Sequence, residues 1–405
     1  MRKNITAIAL LALITVATSC NREGCTDESA LNFDSKAKTD DGSCTYENAA
    51  LNVPSEYVFT DSQGNTTVSF KGQTQRQLML TEIVDLLKSA NTPGVAIDSQ
   101  VLKNMYANEG VTWQDPYDLD LNESTKNLKS KTAASAGSAD PVWQAYYEDL
   151  FDEIGAISAA TTSSEFTGGP GVAGVVQSTT NPEKAYLMNA NGREITQLVE
   201  KGLMGSVFYN QCTLWYLSDD EINVDNSTAV DIDDEKFYTE MEHHWDEAYG
   251  YLTDGYDYPN DGIDDYWGKY TFGRNDLIFS ADNLSLAFRT GRAAITANDL
   301  STRDGNITII LDEFAKASAG TAIHYLNGAL SDLTDNALRN HQLSEAWAFI
   351  DALRFGKMNG FTGNTVDGWL DTIGTNFYEV TAADLNTVKA EIANQFNLSG
   401  IADAL

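Results

Sequence analysis

From Gln73 onward the apolar residues of this 405-residue chain recur at helical rather than strand spacing, which restricts the fold to packed α-helices. Leu80, Ile83, Val84 and Leu87 stand at i, i+3, i+4 and i+7, so one face of the segment is apolar and needs a partner. The same reading predicts helices over 98–108, 142–157, 194–217, 233–252, 276–298, 307–333, 336–355 and 382–396. Within 194–217, Gly202 and Gly205 are small enough to let a neighbouring helix approach closely. Strand-like alternation is scarce after residue 71. It is confined to 47–71, where Tyr57, Phe59, Val68 and Phe70 flank Gly64 and Asn65 as a hairpin or an extended entry segment. The expectation is an all-α fold, a helical bundle or two bundles packed together.

Two stretches interrupt the helices. Residues 124–140, rich in Ser, Ala and Lys, read as a loop or linker. Residues 158–184 read as a long irregular loop containing Gly168-Gly169-Pro170-Gly171 and Gly174. No Lys-Ser/Thr follows those glycines and no clear strand precedes them, so a phosphate-binding loop is not expected.

Residues 1–19 have the layout of an export signal: Arg2 and Lys3, a short apolar run from Ile5 to Val16, then small residues before Cys20. The run is too short to span a bilayer permanently, and no other stretch approaches the roughly 20 apolar residues a membrane helix needs. A cysteine directly after such residues is the diacylglycerol acceptor of bacterial lipoproteins, so Cys20 is expected to be the acylated N-terminus of a lipid-anchored outer-membrane protein, facing the periplasm or the cell surface. Residues 20–47 then form a lipidated tether with a small module, and 52–405 the helical domain. Cys25 and Cys44 bracket that module, which is too small for a core of its own. An exported protein can staple it with a Cys25–Cys44 disulfide. Cys212, alone on an apolar helix, is expected to be a buried free thiol. With 26 Lys and Arg against 59 Asp and Glu, the net charge of −33 repels nucleic acid and anionic lipid and attracts divalent cations.

Two of the four histidines are adjacent in Glu240-Met241-Glu242-His243-His244-Trp245-Asp246-Glu247. On a helix, Glu240, His244 and Glu247 share one stripe, with His243 slightly rotated from it. Imidazole and carboxylate at this spacing suit iron or another divalent transition metal. Glu240-x-x-His243 has the spacing of bundle di-iron sites, but no second Glu-x-x-His exists in the chain, and the His-Glu-x-x-His of zinc proteases is absent. His244-x-x-Glu247 remains as a two-ligand clip that must borrow partners from other helices, with His324 the leading candidate. The other reading of the segment is a solvated pair satisfied by neighbouring carboxylates. No Gly-x-Ser-x-Gly is present and Cys212 has no electropositive neighbour in sequence, so nucleophilic catalysis is not indicated.

Three resemblances bear on these residues. Residues 24–46, with Gly24-Cys25-Thr26-Asp27 and Asp40-Asp41-Gly42-Ser43-Cys44, resemble a short module of secreted Bacteroidetes proteins that carries no known chemistry. Asp27, Asn32, Asp34, Asp40 and Asp41 there either bind calcium or make side-chain-capped turns. His244-x-x-Glu247, followed by Ala248-Tyr249-Gly250-Tyr251-Leu252, resembles the Gly-x-His-x-x-Glu helix of imelysin-like proteins, exported helical proteins linked to iron uptake. It departs at Glu242, where that family has glycine. Val68-Ser69-Phe70-Lys71-Gly72-Gln73, the histidine helix, and Leu343-Ser344-Glu345-Ala346-Trp347 resemble the bacterial lipoprotein family catalogued as domain of unknown function 4856, which brings no established activity. The imelysin likeness implies a metal- or haem-associated binding component of iron acquisition, with an iron-uptake receptor as partner and His243, His244, Glu240, Glu247 and His324 as its ligand candidates.

After the histidine helix comes an acidic loop whose Asp254, Asp257 and Asp261 are candidate calcium ligands. Pro259 stands where a calcium loop has its second ligand, and no Glu closes the twelfth position, so a plain acidic turn is the competing reading. Asp118-x-Asp120 fails in the same way, with Glu123 where the sharp turn needs Gly. Tyr256, Tyr258, Tyr266, Trp267 and Tyr270 beside the loop would serve a surface adhesion or glycan-binding lipoprotein, or simply pack beneath it. A metallohydrolase is the weakest of the three functional readings.

Overall fold

Helix starts are encoded locally. Asp98, Asp140, Asp299 and Asp335 each accept backbone N–H groups of the first turn of the helix that follows, and Thr239 with Glu242 and Thr381 with Asp384 close capping boxes. Each such cap is worth about 1 kcal/mol. The computed structural model describes residues 22–27, 30, 32–44, 51–161, 165–261 and 265–405. The export signal over 1–19 and the lipidation candidate Cys20 lie outside the described residues.

Thirteen α-helices run through the described residues. The first three are α1 (Lys71–Ser89), α2 (Ser99–Ala107) and α3 (Pro141–Ala160). A hairpin of β1 (Gly174–Gln177) and β2 (Ala185–Met188) precedes α4 (Ile195–Leu203) and the short α5 (Asp219–Ile222). A second hairpin, β3 (Ala229–Asp231) and β4 (Lys236–Thr239), leads into α6 (Glu240–Gly250). Then come α7 (Tyr266–Gly273), α8 (Asn275–Ile278), α9 (Ser280–Thr296), α10 (Leu300–Ser331), α11 (Asn336–Ala352), α12 (Gly363–Ile373) and α13 (Ala382–Gln395). The fold is all-α. No helix among the described residues is long and apolar enough to cross a membrane.

The chain divides after Leu51 into two units, and the helical residues from Asn52 to Leu405 form one unit rather than two bundles. Its longest element is α10, about 48 Å long at the usual rise per residue. Ala315, Ala317, Ser318, Ala319, Gly320 and Ala322 on α10 are buried, and such small side chains let α9 and α11 pack closely along it.

Both glycines of 194–217 sit at close approaches. A Cβ on Gly202 would lie 2.9 Å from the Tyr147 hydroxyl of α3, and one on Gly205 2.8 Å from the Ala352 Cβ of α11. The segment is not a uniform α-helix, however. After Leu203 it widens into two successive π turns, Met204–Tyr209 and Gln211–Tyr216. The irregular loop expected over 158–184 contains β1, whose register pairs Val175 with Leu187. Four-residue strands are too short to show a period of two. This hairpin is held by Asp335, whose Oδ2 accepts from the Ser178 hydroxyl, from the backbone N–H and hydroxyl of Thr179, and from those of Thr180, while Oδ1 caps α11. Those donors hold the Asp335 carboxyl far below the usual range, although its burial pushes the other way.

The helix expected from 233 begins only at Glu240, because Thr239 caps it and residues 236–239 pair as a strand. Phe279, at φ 57°, breaks 276–298 into α8 and α9. Helices α7 and α12 have no counterpart in the periodicity reading.

The N-terminal unit is stapled by the Cys25–Cys44 disulfide, with a Cα–Cα distance of 4.7 Å. Asp34, Asp40 and Asp41 each accept the backbone N–H two residues ahead, so these carboxylates make the turns that were one of their two readings.

Candidate functional site

Helix α6 carries two polar faces with different fates. Glu242 and Asp246 point inward to Arg292 of α9, which is wholly buried. All five guanidinium N–H groups find acceptors: Nε on Asp246 Oδ1 at 2.9 Å, Nη1 on Glu242 Oε1 and Thr296 Oγ1, and Nη2 on the Thr67 carbonyl and hydroxyl. Asp246 also accepts from the Tyr57 hydroxyl and the Ser69 N–H. Beside this knot the Trp245 indole fits over Gly291 and donates to the Phe288 carbonyl. The whole assembly fixes the rotation of α6 against segment 57–70, which turns back on itself as a small hairpin through the Thr60–Thr66 bridge.

The other face presents His243, His244 and Glu247, all half-buried. His243 Nδ1 is 3.2 Å from the Ser69 carbonyl, and His244 Nδ1 is 2.6 Å from the Glu221 carbonyl. A carbonyl oxygen only accepts, so each Nδ1 carries a proton, and the tautomer this selects places the lone pair of a neutral ring on Nε2. Burial, with help from His244 and Lys126, holds His243 below the usual imidazole range and favours that neutral form. Its Nε2 lies 3.9 Å from Glu247 Oε2, lone pair toward carboxylate, and its ring stacks on Tyr238 at 4.5 Å. Glu247 is steadied by Gln73 Nε2 at 2.9 Å. His244 stands edge-on to Tyr216.

Cations surround this face. Lys131 lies about equally far from the Trp215 and Tyr216 rings, at 6.0 and 5.9 Å. Burial, Arg76 and Lys126 pull its ammonium down, and Glu247 and Glu221 push it up.

The structure thus brings His243, His244 and Glu247 onto one face, but the imidazole facing Glu247 is that of His243, one turn away, whereas His244 lies 3.8 Å from the Glu221 carboxylate of α5. Glu240 lies exposed in the first turn of α6. His324 is exposed on α10, where burial of its inner edge and the neighbouring Arg274 hold it below its usual range. Its neighbours Tyr325, Arg274 and Leu405 all lie outside α6. Among the described residues no three His, Cys, Asp or Glu side chains converge as a metal ligand set. The donor set therefore fits a metal only as a two-ligand clip, with the remaining coordination positions filled by the incoming ligand.

In the acidic loop, Asp261 lies against Gly255 and Asp257 accepts from the Asn260 side-chain amide. Burial, Asp265 and Asp261 raise the Asp254 carboxyl. Residues 262–264 of this loop lie outside the described residues. Of the nearby aromatics, Tyr258, Tyr266 and Trp267 are buried, and their polar atoms meet Thr271, Thr81 and the Met204 carbonyl; Tyr256 is 49 % exposed. Cys212 is a buried free thiol, raised by that burial.

A second buried polar chain was not legible beforehand. Glu194 Oε2 meets His341 Nδ1 at 2.6 Å, His341 Nε2 lies 3.6 Å from Glu345, Glu345 lies 3.5 Å from Lys201, and Lys201 pairs with Glu200 at 2.6 Å. Its one sequence signal is a lysine and a glutamate at core-facing positions of α4 and α11.

Neither curated proteins nor solved structures give a match to the chain. The family described as Domain of unknown function (DUF4856) matches residues 54–399, which takes in α1, the histidine helix and the buried ion network. The chain belongs to that family.

Proposed function

We propose that the protein is a lipid-anchored outer-membrane component of iron acquisition that binds iron in chelated form, haem first among such forms, on the His243–His244–Glu247 face. The observation that carries this reading is the pair of imidazoles whose Nδ1 atoms are tied to backbone carbonyls, with the Nε2 of His243 turned toward the Glu247 carboxylate. Metal-binding histidines are commonly oriented by such a hydrogen bond from the second ring nitrogen. Two protein ligands are few for a bare ion but enough for a metal that brings its own chelate. Lys126, Lys131 and Arg76 beside the pair, in a chain of net charge −33, suit a chelate that carries negative charge, as haem does in its propionates. An acylated Cys20 would hold this domain at the membrane, where an uptake receptor could receive the cargo.

The test is titration of the purified protein with haem, Fe²⁺ and Zn²⁺, followed by absorbance and thermal stability. Haem should bind with a perturbed Soret band, and His243→Ala with Glu247→Ala should weaken it at least ~10-fold, the scale seen when a metal site loses a supporting group. His244→Ala with Glu247→Ala should do the same. Helical content should stay intact in both. Wild-type protein that gains neither spectrum nor stability from any of the three would end the reading. Cys20→Ser should release the protein from the membrane fraction, and unchanged retention would remove the anchoring step.

A further inference from the structure

Well away from the histidines in sequence, four elements converge on an open pocket of about 300 Å³. Trp143 and Tyr146 come from α3, Arg193 from the turn before α4, Trp347 and Asp351 from α11, and Leu370 from α12. Both tryptophans and the tyrosine are half-buried, so each ring keeps surface facing the pocket. The walls are held by ring contacts. Trp143 stands edge-on to Phe355 at 4.6 Å, and the Arg193 guanidinium lies 4.8 Å from the Trp347 ring centre.

The polar groups are sparse and of both kinds. Arg193 Nε is buried and makes no hydrogen bond among the described residues, although the guanidinium also engages the Tyr146 hydroxyl and lies within electrostatic reach of Asp351. No ion pair forms at Arg193 among the described residues, although carboxylates outnumber cations more than twofold in the chain. Asp351 uses Oδ1 to accept from Arg354 Nε at 2.6 Å, and burial nevertheless pushes its carboxyl above the usual range. A donor and an acceptor thus stand at one aromatic-walled recess, a common arrangement for a specific small-molecule site, and the volume lies at the small end of such pockets.

We infer that this pocket binds a neutral pyranose sugar, its C–H face against the tryptophan rings, with adjacent hydroxyls donating to Asp351 and accepting from Arg193. The chemistry of the pocket selects against the other ligand classes. A cation would meet Arg193, and an anion would meet the Asp351 carboxylate. A purely apolar ligand would cover the Arg193 guanidinium and the Asp351 carboxylate without giving either a hydrogen bond, a penalty of about 1–3 kcal/mol for a polar group so left. A sugar ring has an apolar face and hydroxyls that both donate and accept. This site is independent of the iron reading and shares none of its residues.

Calorimetric titration of the full protein tests the inference, with glucose, galactose, mannose and xylose and their short oligomers as probes. Galacturonate and choline serve as the anionic and cationic comparators. At least one neutral sugar should bind with a Kd between about 1 µM and 1 mM and change tryptophan fluorescence. Arg193→Gln and Trp347→Ala should each weaken that sugar at least ~10-fold, equivalent to about 1.4 kcal/mol. Arg193 carries no ion pair among the described residues, so Arg193→Gln reports even where Trp347→Ala does not fold. Three results would overturn the proposal: no neutral sugar binding below about 10 mM, binding of galacturonate or choline in its place, or sugar binding that persists undiminished in folded Arg193→Gln.

Discussion

Replacing Arg292 with Met tests the account of how α6 is oriented. The substitution keeps the length of the side chain and removes a buried cation that holds Asp246, Glu242 and Thr67 at once. Asp246 would keep only the Tyr57 hydroxyl at 2.8 Å and the Ser69 N–H at 3.1 Å, and Glu242 the Thr239 N–H and the Thr296 hydroxyl. Two carboxylates would then stay buried without a counter-charge. Breaking a buried pair in this way costs about 3–5 kcal/mol. The helical unit has about 350 residues, and at about 2.1 cal/mol/K per residue its unfolding entropy is about 0.7 kcal/mol/K. The expected fall in Tm is therefore about 4–7 °C. Circular dichroism melts give the global number, and amide exchange at Tyr57, Thr67 and Ser69 gives the local one, since that segment loses its anchor first. Arg292→Lys, with three donors in place of five, should fall between wild type and Arg292→Met. Adding Asp246→Asn to Arg292→Met should recover part of the loss by removing one stranded charge. A loss below about 1 kcal/mol, with unchanged exchange at Ser69, would refute the view that this ion knot positions the histidine helix.

Three further outcomes follow from named contacts. Burial pulls the His341 imidazole down, but Glu194 and then Glu345 outweigh it against Lys201, so its folded pKa is raised; its stabilisation is complete below the ordinary value of 6.5 and fades as pH rises through the folded value. The urea midpoint of wild type minus that of His341→Gln should therefore shrink from pH 6.5 upward, and a difference independent of pH would contradict the assignment. Gly291→Ala would place a Cβ 2.1 Å from the Trp245 ring, so chemical denaturation should show a loss of about 1–3 kcal/mol; an unchanged midpoint would mean the indole moves freely. Removing the Cys25–Cys44 disulfide should leave the melting of residues 52–405 within about 1 °C, because the two units divide at Leu51, and a larger shift would show that the units are coupled.

Much of the secondary structure was readable because its causes are local. The apolar face of α1 follows from spacing within a turn or two and is buried as expected, and Gly202 and Gly205 lie at close helix approaches as expected, although the helices they meet are far away in sequence. The Cys25–Cys44 staple was legible for a related reason, since a unit that small has few other ways to hold itself together. The clustering of His243, His244 and Glu247 is likewise a consequence of helical spacing. What surrounds that cluster is not. Ser69 lies 174 residues before His243, and Arg292 reaches Thr67 across 225 residues. Such partners are chosen by the packing of whole helices, which no short window of sequence contains. The two hairpins escaped notice because strands of three or four residues carry too little alternation to stand out, and their stability comes from distant groups such as Asp335. Separation likewise explains the pocket of Trp143, Arg193, Trp347, Asp351 and Leu370: four elements meet there only when the bundle closes. Sequence alone determined the helical class, the staple and the spacing of the candidate ligands. Tertiary structure decided which charges are buried in pairs, which aromatics face an open recess, and where each imidazole turns, because those depend on contacts between segments far apart in the chain.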